Sequence, residues 1–153
     1  MSIQIIGYRP ELQPYFERFN KAWLEKYFVV EPIDAFVLEH PQEAILKDGG
    51  DILFAQQEGE VIGTVALRFR EPGIFEMTKM AVSDAYKGNG AGKLLCKSAI
   101  NKAKSLGASK LILYSNKALP YAVDMYGSFG FNEIPLQPGT YGRADIMMEL
   151  QLN

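Results

Sequence analysis

Three glycines alternate with other residues in Lys87-Gly88-Asn89-Gly90-Ala91-Gly92, shortly after the apolar stretch Met80-Ala81-Val82 and just before a helical pattern. Glycine lets the main chain approach a ligand closely and turn several N–H groups toward one point. The first turn of the helix that follows adds unpaired N–H donors and the positive end of the helix dipole. A strand, a glycine loop and a helix start in that order make a cradle for a phosphate or pyrophosphate. Lys87 and Lys93 add positive charge at its rim.

Other residues could do chemistry beside such a cradle. In Phe75-Glu76-Met77-Thr78-Lys79-Met80-Ala81-Val82, strand alternation puts Glu76, Thr78, Met80 and Val82 on one face. A carboxylate sharing a face with apolar residues, upstream of the cradle, is placed to take a proton from an ammonium group directly or through water. Partial burial raises a carboxyl pKa toward the range useful for that task. Tyr126, in Tyr126-Gly127-Ser128-Phe129-Gly130-Phe131, offers a phenol at the end of a short helical segment.

Three phosphate-binding loops compete for the glycines. A P-loop has Gly first and a hydroxyl after Gly-Lys; here Lys87 and Leu94 stand at those places. A dinucleotide fingerprint begun at Gly88 needs glycine at position 93, which is Lys93. The third, R/Q-x-x-G-x-G/A, is matched by Lys87 to Gly92 with Lys87 in place of Arg or Gln. That loop, together with Tyr126-x-x-x-Gly130-Phe131, resembles the GCN5-related N-acetyltransferases (GNAT) along nearly the whole chain.

The resemblance implies acetyl-coenzyme A as co-substrate, its pyrophosphate cradled by residues 87–93 and its pantetheine arm met by the main chain of Met80, Ala81 and Val82. It implies that the Met80 N–H faces the thioester carbonyl, where negative charge develops. Tyr126 is expected to protonate the departing thiolate, Glu76 to act as the base, and Asn116 to touch the coenzyme. Family acceptor pockets use the first two helices and the last hairpin. Here these supply Trp23, Tyr27, Phe28, Glu31 and Asp34, then Tyr141 and Arg143: a carboxylate of Glu31 or Asp34 would attract an ammonium, and Arg143 would clamp a substrate carboxylate. A non-catalytic acetyl-coenzyme A sensor would need the same cradle, and Glu76 with Tyr126 favours the enzyme.

The elements that must hold these residues are readable from periodicity. Ile3 to Ile6 reads as a strand, and apolar positions from Leu12 to Tyr27 follow helical spacing. Pro32 opens a second helix toward Leu46, broken near His40-Pro41. Ile52–Ala55 and Val61–Leu67 flank Glu58-Gly59 as a hairpin, and Ile74 to Val82 is a third strand. A helix from Gly90 to Leu106, a strand from Lys110 to Tyr114, a helix from Pro120 to Phe129 and a closing hairpin follow. The order β-α-α-β-β-β-α-β-α-β-β predicts an α/β fold, a mixed sheet covered by helices on both faces. By the resemblance, that sheet parts centrally in a V.

With 153 residues, 48% of them hydrophobic, the chain is expected to form a single domain spanning residues 1–153. A net charge of −2 argues against nucleic acid as partner. No apolar run suits a membrane span, and the start of the chain lacks a signal-peptide pattern. One cysteine, Cys96, and one histidine, His40, support neither a metal site nor Cys-His catalysis and fit a cytoplasmic location. The expected partner is a primary amine of a small molecule or peptide, bound by a monomer or homodimer.

Overall fold

The computed structural model describes residues 2–137 and 141–152. Its elements follow the expected order: β1 (Ile3–Gly7), α1 (Gln13–Tyr27), α2 (Pro32–Glu39), β2 (Asp51–Gln57), β3 (Glu60–Glu71), β4 (Ile74–Val82), α3 (Ala91–Ser105), β5 (Lys110–Ser115), α4 (Pro120–Ser128), β6 (Asn132–Ile134) and β7 (Ile146–Gln151). The second helical stretch ends at Glu39, and a π-type turn over Gln42–Leu46 takes its place beyond His40-Pro41. No helix among the described residues is long and apolar enough to cross a membrane.

The strands form one sheet in the order β1-β2-β3-β4-β5-β7-β6. Ile52 and Phe54 of β2 pack toward Phe16, Leu24, Val37 and Leu38 of α1 and α2. Leu53 and Ala55 of the same strand pack toward Leu95, Cys96, Ala99 and Ala103 of α3. The continuous apolar runs of the central strands are therefore buried on both faces, as such runs must be. At Gly63, an added Cβ would lie 3.1 Å from Leu95 Cδ1, so glycine lets α3 seat closely on the sheet.

Two irregularities at the sheet's centre shape everything that follows. First, the parallel pairing of β4 with β5 covers only Ile74↔Lys110, Phe75↔Leu111 and Glu76↔Ile112. Beyond Glu76 the strands part, while β5 stays paired with β7 up to Ser115↔Ile146. This is the expected V. Second, the β3–β4 register steps from Ala66↔Thr78 to Thr64↔Ala81, inserting one extra residue into β4. Lys79 takes a left-handed conformation there, with φ of 55°, which is unusual for a residue with a side chain and typical of a bulge.

The bulge corrects the expected facing of β4. Phe75 and Met77 point to the α3 core, and beyond the extra residue so do Met80 and Val82. Glu76 and Thr78 face the opposite way, and the turn at the bulge sends the Lys79 side chain after them, to Asp34 of α2 at 2.5 Å. Strict alternation fails because one inserted residue shifts the parity of all that follow.

Asp34 is the knot of a buried ion network. It is fully buried, pairs with Lys79, and accepts two hydrogen bonds from Arg143, at 2.7 and 3.0 Å. Glu31 caps α2, accepts from the Gly142 N–H at 2.9 Å, and meets Arg143 at 3.1 Å. One helix, the bulged strand and the loop before β7 are thereby fastened together. Burial alone would raise the Asp34 carboxyl, but Arg143 and Lys79 outweigh it and hold the group below its ordinary value. Burial also lowers the Lys79 ammonium, helped by the nearby Arg143 charge and opposed by Asp34.

Removing one partner of a buried pair strands the other, which costs about 3–5 kcal/mol. Asp34→Asn is therefore expected to lower unfolding free energy by that amount in denaturant titrations at neutral pH. The depressed carboxyl of the parent contributes stability above its ordinary value of 3.8 and loses it as pH falls through the lower folded value. The Asn variant should accordingly show a shallower acid limb of stability against pH than the parent.

Candidate functional site

The glycine loop folds as its composition requires. Gly88 and Gly90 hold φ of 85° and 89°, conformations that suit glycine. Gly92 lies in the first turn of α3, and a Cβ built on it meets nothing within 4 Å. Leu94 donates to the Gly90 carbonyl, so the first intrahelical bond starts there. The Ala91 N–H is taken by Asn89 Oδ1 at 3.1 Å, and Asn89 Nδ2 reaches Gln57 of β2 at 3.2 Å. Among the described residues, the Gly92 and Lys93 N–H groups have no such partner and face outward from the helix start. Asn89, expected as a ligand, uses its side chain to brace the loop; Ala91 sends its methyl into the core.

Lys87 pairs with Asp84 at 2.8 Å, which raises its pKa, and lies 5.8 Å from the Tyr27 ring. Lys93 is exposed. Tyr27 is 43% exposed and does not line the main cleft, against its expected place in an acceptor pocket. Trp23 and Phe28, expected beside it in that pocket, do line the cleft.

The cleft opens where β4 and β5 part. Its lining includes Met80, Ser115, Asn116, Leu119, Ala122 and Tyr126 together with Asn20, Trp23, Phe28, Thr78, Lys79, Tyr114, Tyr141 and Arg143. Neither Lys79 nor Met80 has a β3 residue opposite it, and β4 beyond Glu76 has no partner on the β5 side. The main chain at Met80 is thus released into the cleft by the bulge.

Tyr126 is positioned by the way its helix ends. The Phe131 N–H bonds the Tyr126 carbonyl at 3.1 Å and the Gly130 N–H bonds that of Gly127 at 3.0 Å, with Gly130 at φ of 102°. This is a Schellman closure. Its usual apolar contact is made by the Tyr126 and Phe131 rings, 6.0 Å apart. The spacing Tyr-x-x-x-Gly-Phe is therefore a helix stop that also fixes the tyrosine ring. The hydroxyl has no hydrogen-bond partner among the described residues. Burial, with Cys96 nearby, raises its pKa and keeps it protonated.

Glu76 does not line the cleft. It is 1% exposed, with Arg70 at 2.6 Å on one oxygen and the Tyr141 hydroxyl donating at 2.9 Å to the other. Tyr141, 3.5 Å from Thr78 Oγ1, carries the carboxylate's influence to the cleft surface. Burial and the neighbouring Glu76 raise the Tyr141 pKa, holding it protonated as that bond requires.

Asn116 lines the cleft as well. Its Oδ1 caps the Ala118 N–H at 2.8 Å and its Nδ2 holds the Arg143 carbonyl at 2.6 Å, so its side chain is committed to the fold. Glu31 and Asp34 are spent on Arg143, Gly142 and Lys79 and lie behind the cleft, out of place for attracting an ammonium. Several cleft residues escaped sequence reading, Lys79 and Asn20 among them. Asn20 is polar at a core-facing position of α1, four residues from Phe16 and from Leu24, and that break in the apolar stripe was its signal.

Comparison with known proteins identifies the fold and the family. Residues 12–131 match the model of the Acetyltransferase (GNAT) family. N-acetyltransferase 8 of Mus musculus is 29% identical over 74% of this chain and 52% of its own. An N-acetyltransferase of Schizosaccharomyces pombe is 35% identical over 61% and 59%. Mycothiol acetyltransferase of Corynebacterium glutamicum is 30% identical over 61% of this chain, which spans only 32% of that enzyme. Among solved structures, a Staphylococcus aureus acetyltransferase of the GNAT family superposes with a TM-score of 0.87 at 21% identity, covering 99% of this chain and 100% of that one. YncA of Salmonella typhimurium, solved with acetyl-CoA, superposes with a TM-score of 0.78 at 20% identity over 100% and 95%. The family match over residues 12–131, on a fold whose bulged strand parts from its parallel neighbour, makes this chain a member of the GNAT acetyltransferase family.

Proposed function

We propose that the protein transfers the acetyl group of acetyl-coenzyme A to a primary amine of a small molecule or peptide by direct attack, with both substrates bound together. The observation that carries this reading is the unpartnered Tyr126 hydroxyl, protonated and facing the same cleft as the released main chain of Met80. A binding module would need the cradle but has no use for a buried acid at the far end of the gap.

The chain's residues fit the co-substrate. Gly92 leaves open space where a side chain would stand, and the N–H groups of Gly92 and Lys93 offer donors at the positive end of α3. The gap beyond Glu76↔Ile112 admits a narrow arm between β4 and β5. Bound acetyl-coenzyme A supplies an activated acyl carbon and a sulfur leaving group.

The protein's part is positioning and proton management. The Met80 N–H steadies negative charge on the carbonyl oxygen. Tyr126 keeps its proton on the phenolic oxygen until a thiolate needs it. An ammonium has no lone pair, so the acceptor must lose a proton first. Tyr141 is placed to accept that proton on its oxygen while passing its own to Glu76 Oε2, 2.9 Å away. Glu76 thus acts as base at second hand, and Arg70 fixes its orientation.

Three measurements bear on this reading. Gly92→Val places a branched side chain in the open cradle at a helical position, where valine is no worse than glycine. Coenzyme A affinity by calorimetry should fall at least about tenfold with unchanged stability, a weakening of about 1.4 kcal/mol or more; unchanged affinity would overturn the cradle assignment. Tyr126→Phe should lower turnover by roughly 10²-fold and leave coenzyme binding intact, whereas full activity would mean that water protonates the thiolate. Glu76→Gln should depress kcat/KM below neutral pH and recover partly at high pH, where more acceptor is already neutral. An unchanged pH profile with an amine of known pKa would reduce Glu76 to a structural partner of Arg70.

A further inference from the structure

The cleft carries cationic side chains in its lining and keeps their counter-ions behind it. Lys79 and Arg143 line it, whereas Asp34 and Glu31, which balance them, do not, and no aspartate or glutamate is among its lining residues. A second ammonium on a substrate would find nothing there to pair with. An anion would.

Arg143 presents a built anion site. Of the five N–H groups on its side chain, two on Nη1 go to Glu31 Oε2 at 3.1 Å and Asp34 Oδ2 at 2.7 Å, and one on Nη2 goes to Asp34 Oδ1 at 3.0 Å. The Nε–H and the second Nη2–H have no partner among the described residues. Those two point the same way from one edge of the planar group, the geometry that takes both oxygens of a carboxylate. Stacking at 4.7 Å on the Tyr141 ring and the Asn116 bond to the Arg143 carbonyl hold that edge in place. Asn20 also lines the cleft; it is 2% exposed and its Nδ2 donates to the Phe16 carbonyl at 2.9 Å. Its Oδ1 is left without a partner among the described residues and can accept from a donor such as an amine N–H. Trp23 and Phe28 add apolar surface to the same cleft.

We infer that the acceptor is an amino acid with an apolar or aromatic side chain, its carboxylate on the Nε–Nη2 edge of Arg143 and its amine toward Asn20. This rests on the acetyl-transfer reading and narrows it from amines in general to amines bearing a carboxylate.

The test compares matched acceptors with acetyl-coenzyme A: L-phenylalanine, L-leucine, L-phenylalaninamide, phenethylamine and putrescine. The free amino acids should exceed the amide and phenethylamine in kcat/KM by roughly 10- to 100-fold, the worth of a charge-assisted pair of hydrogen bonds. Putrescine should be the poorest. Arg143→Gln should collapse the ratio of acid to amide toward one, and Arg143→Lys should restore it in part; a merely structural loss would lower both substrates together and leave their ratio unchanged. Equal or better use of the amide, phenethylamine or putrescine by the parent protein overturns the inference while leaving acetyl transfer standing. Should no amine react, calorimetry on the coenzyme A complex separates the two readings. L-phenylalanine binding that Arg143→Gln abolishes supports the carboxylate site without catalysis, and no binding by L-phenylalanine overturns it.

Discussion

Three residue pairs hold the two halves of this sheet together, and the site exists because there are only three. β4 and β5 are parallel neighbours from Ile74 to Glu76, after which each follows its other partner. A longer parallel ladder would bury the main chain of Met77 to Val82 in hydrogen bonds and leave no slot between the strands. The inserted residue at Lys79 makes the separation local and sharp, because it breaks register with β3 at the same level. The conformational cost of a left-handed lysine is of order 1–3 kcal/mol. It is offset by a buried ion pair that only this turned side chain can reach.

That pair explains why so many charges sit near an apolar cleft. Isolated burial of either Asp34 or Lys79 would be prohibitive, so Lys79 depends on Asp34, and Asp34 on both Lys79 and Arg143. The same network fastens the loop before β7 across the mouth of the gap, with Asn116 as a second fastening. Stability and the shape of the cleft are consequently one problem. Surface pairs such as Lys21 with Glu17 contribute little by comparison.

Most of the fold was legible because its signals were local. Period-2 and period-3.6 patterns, prolines at helix starts and the glycine stops at Gly107 and Gly130 marked nearly every element, and β4 was bounded to the residue. The cradle was legible for the same reason: its conformation is written in glycine. What periodicity could not reveal was the bulge, since one inserted residue leaves no compositional mark in a strand of mixed character. From that single miss came the wrong facing of Met80 and Val82. The partners of Glu76, Asp34 and Asn116 were hidden for a different reason. Arg70 lies on a neighbouring strand, Arg143 more than a hundred positions from Asp34, and only the folded chain brings such groups into contact.

Cys96 occupies a place where a sulfur nucleophile could do harm. It lies on the buried face of α3, near Tyr126, and burial pushes its thiol up to about 12. Only the thiolate attacks thioesters, and at physiological pH this side chain supplies almost none. The protein's own sulfur is thereby kept from becoming a rival acceptor.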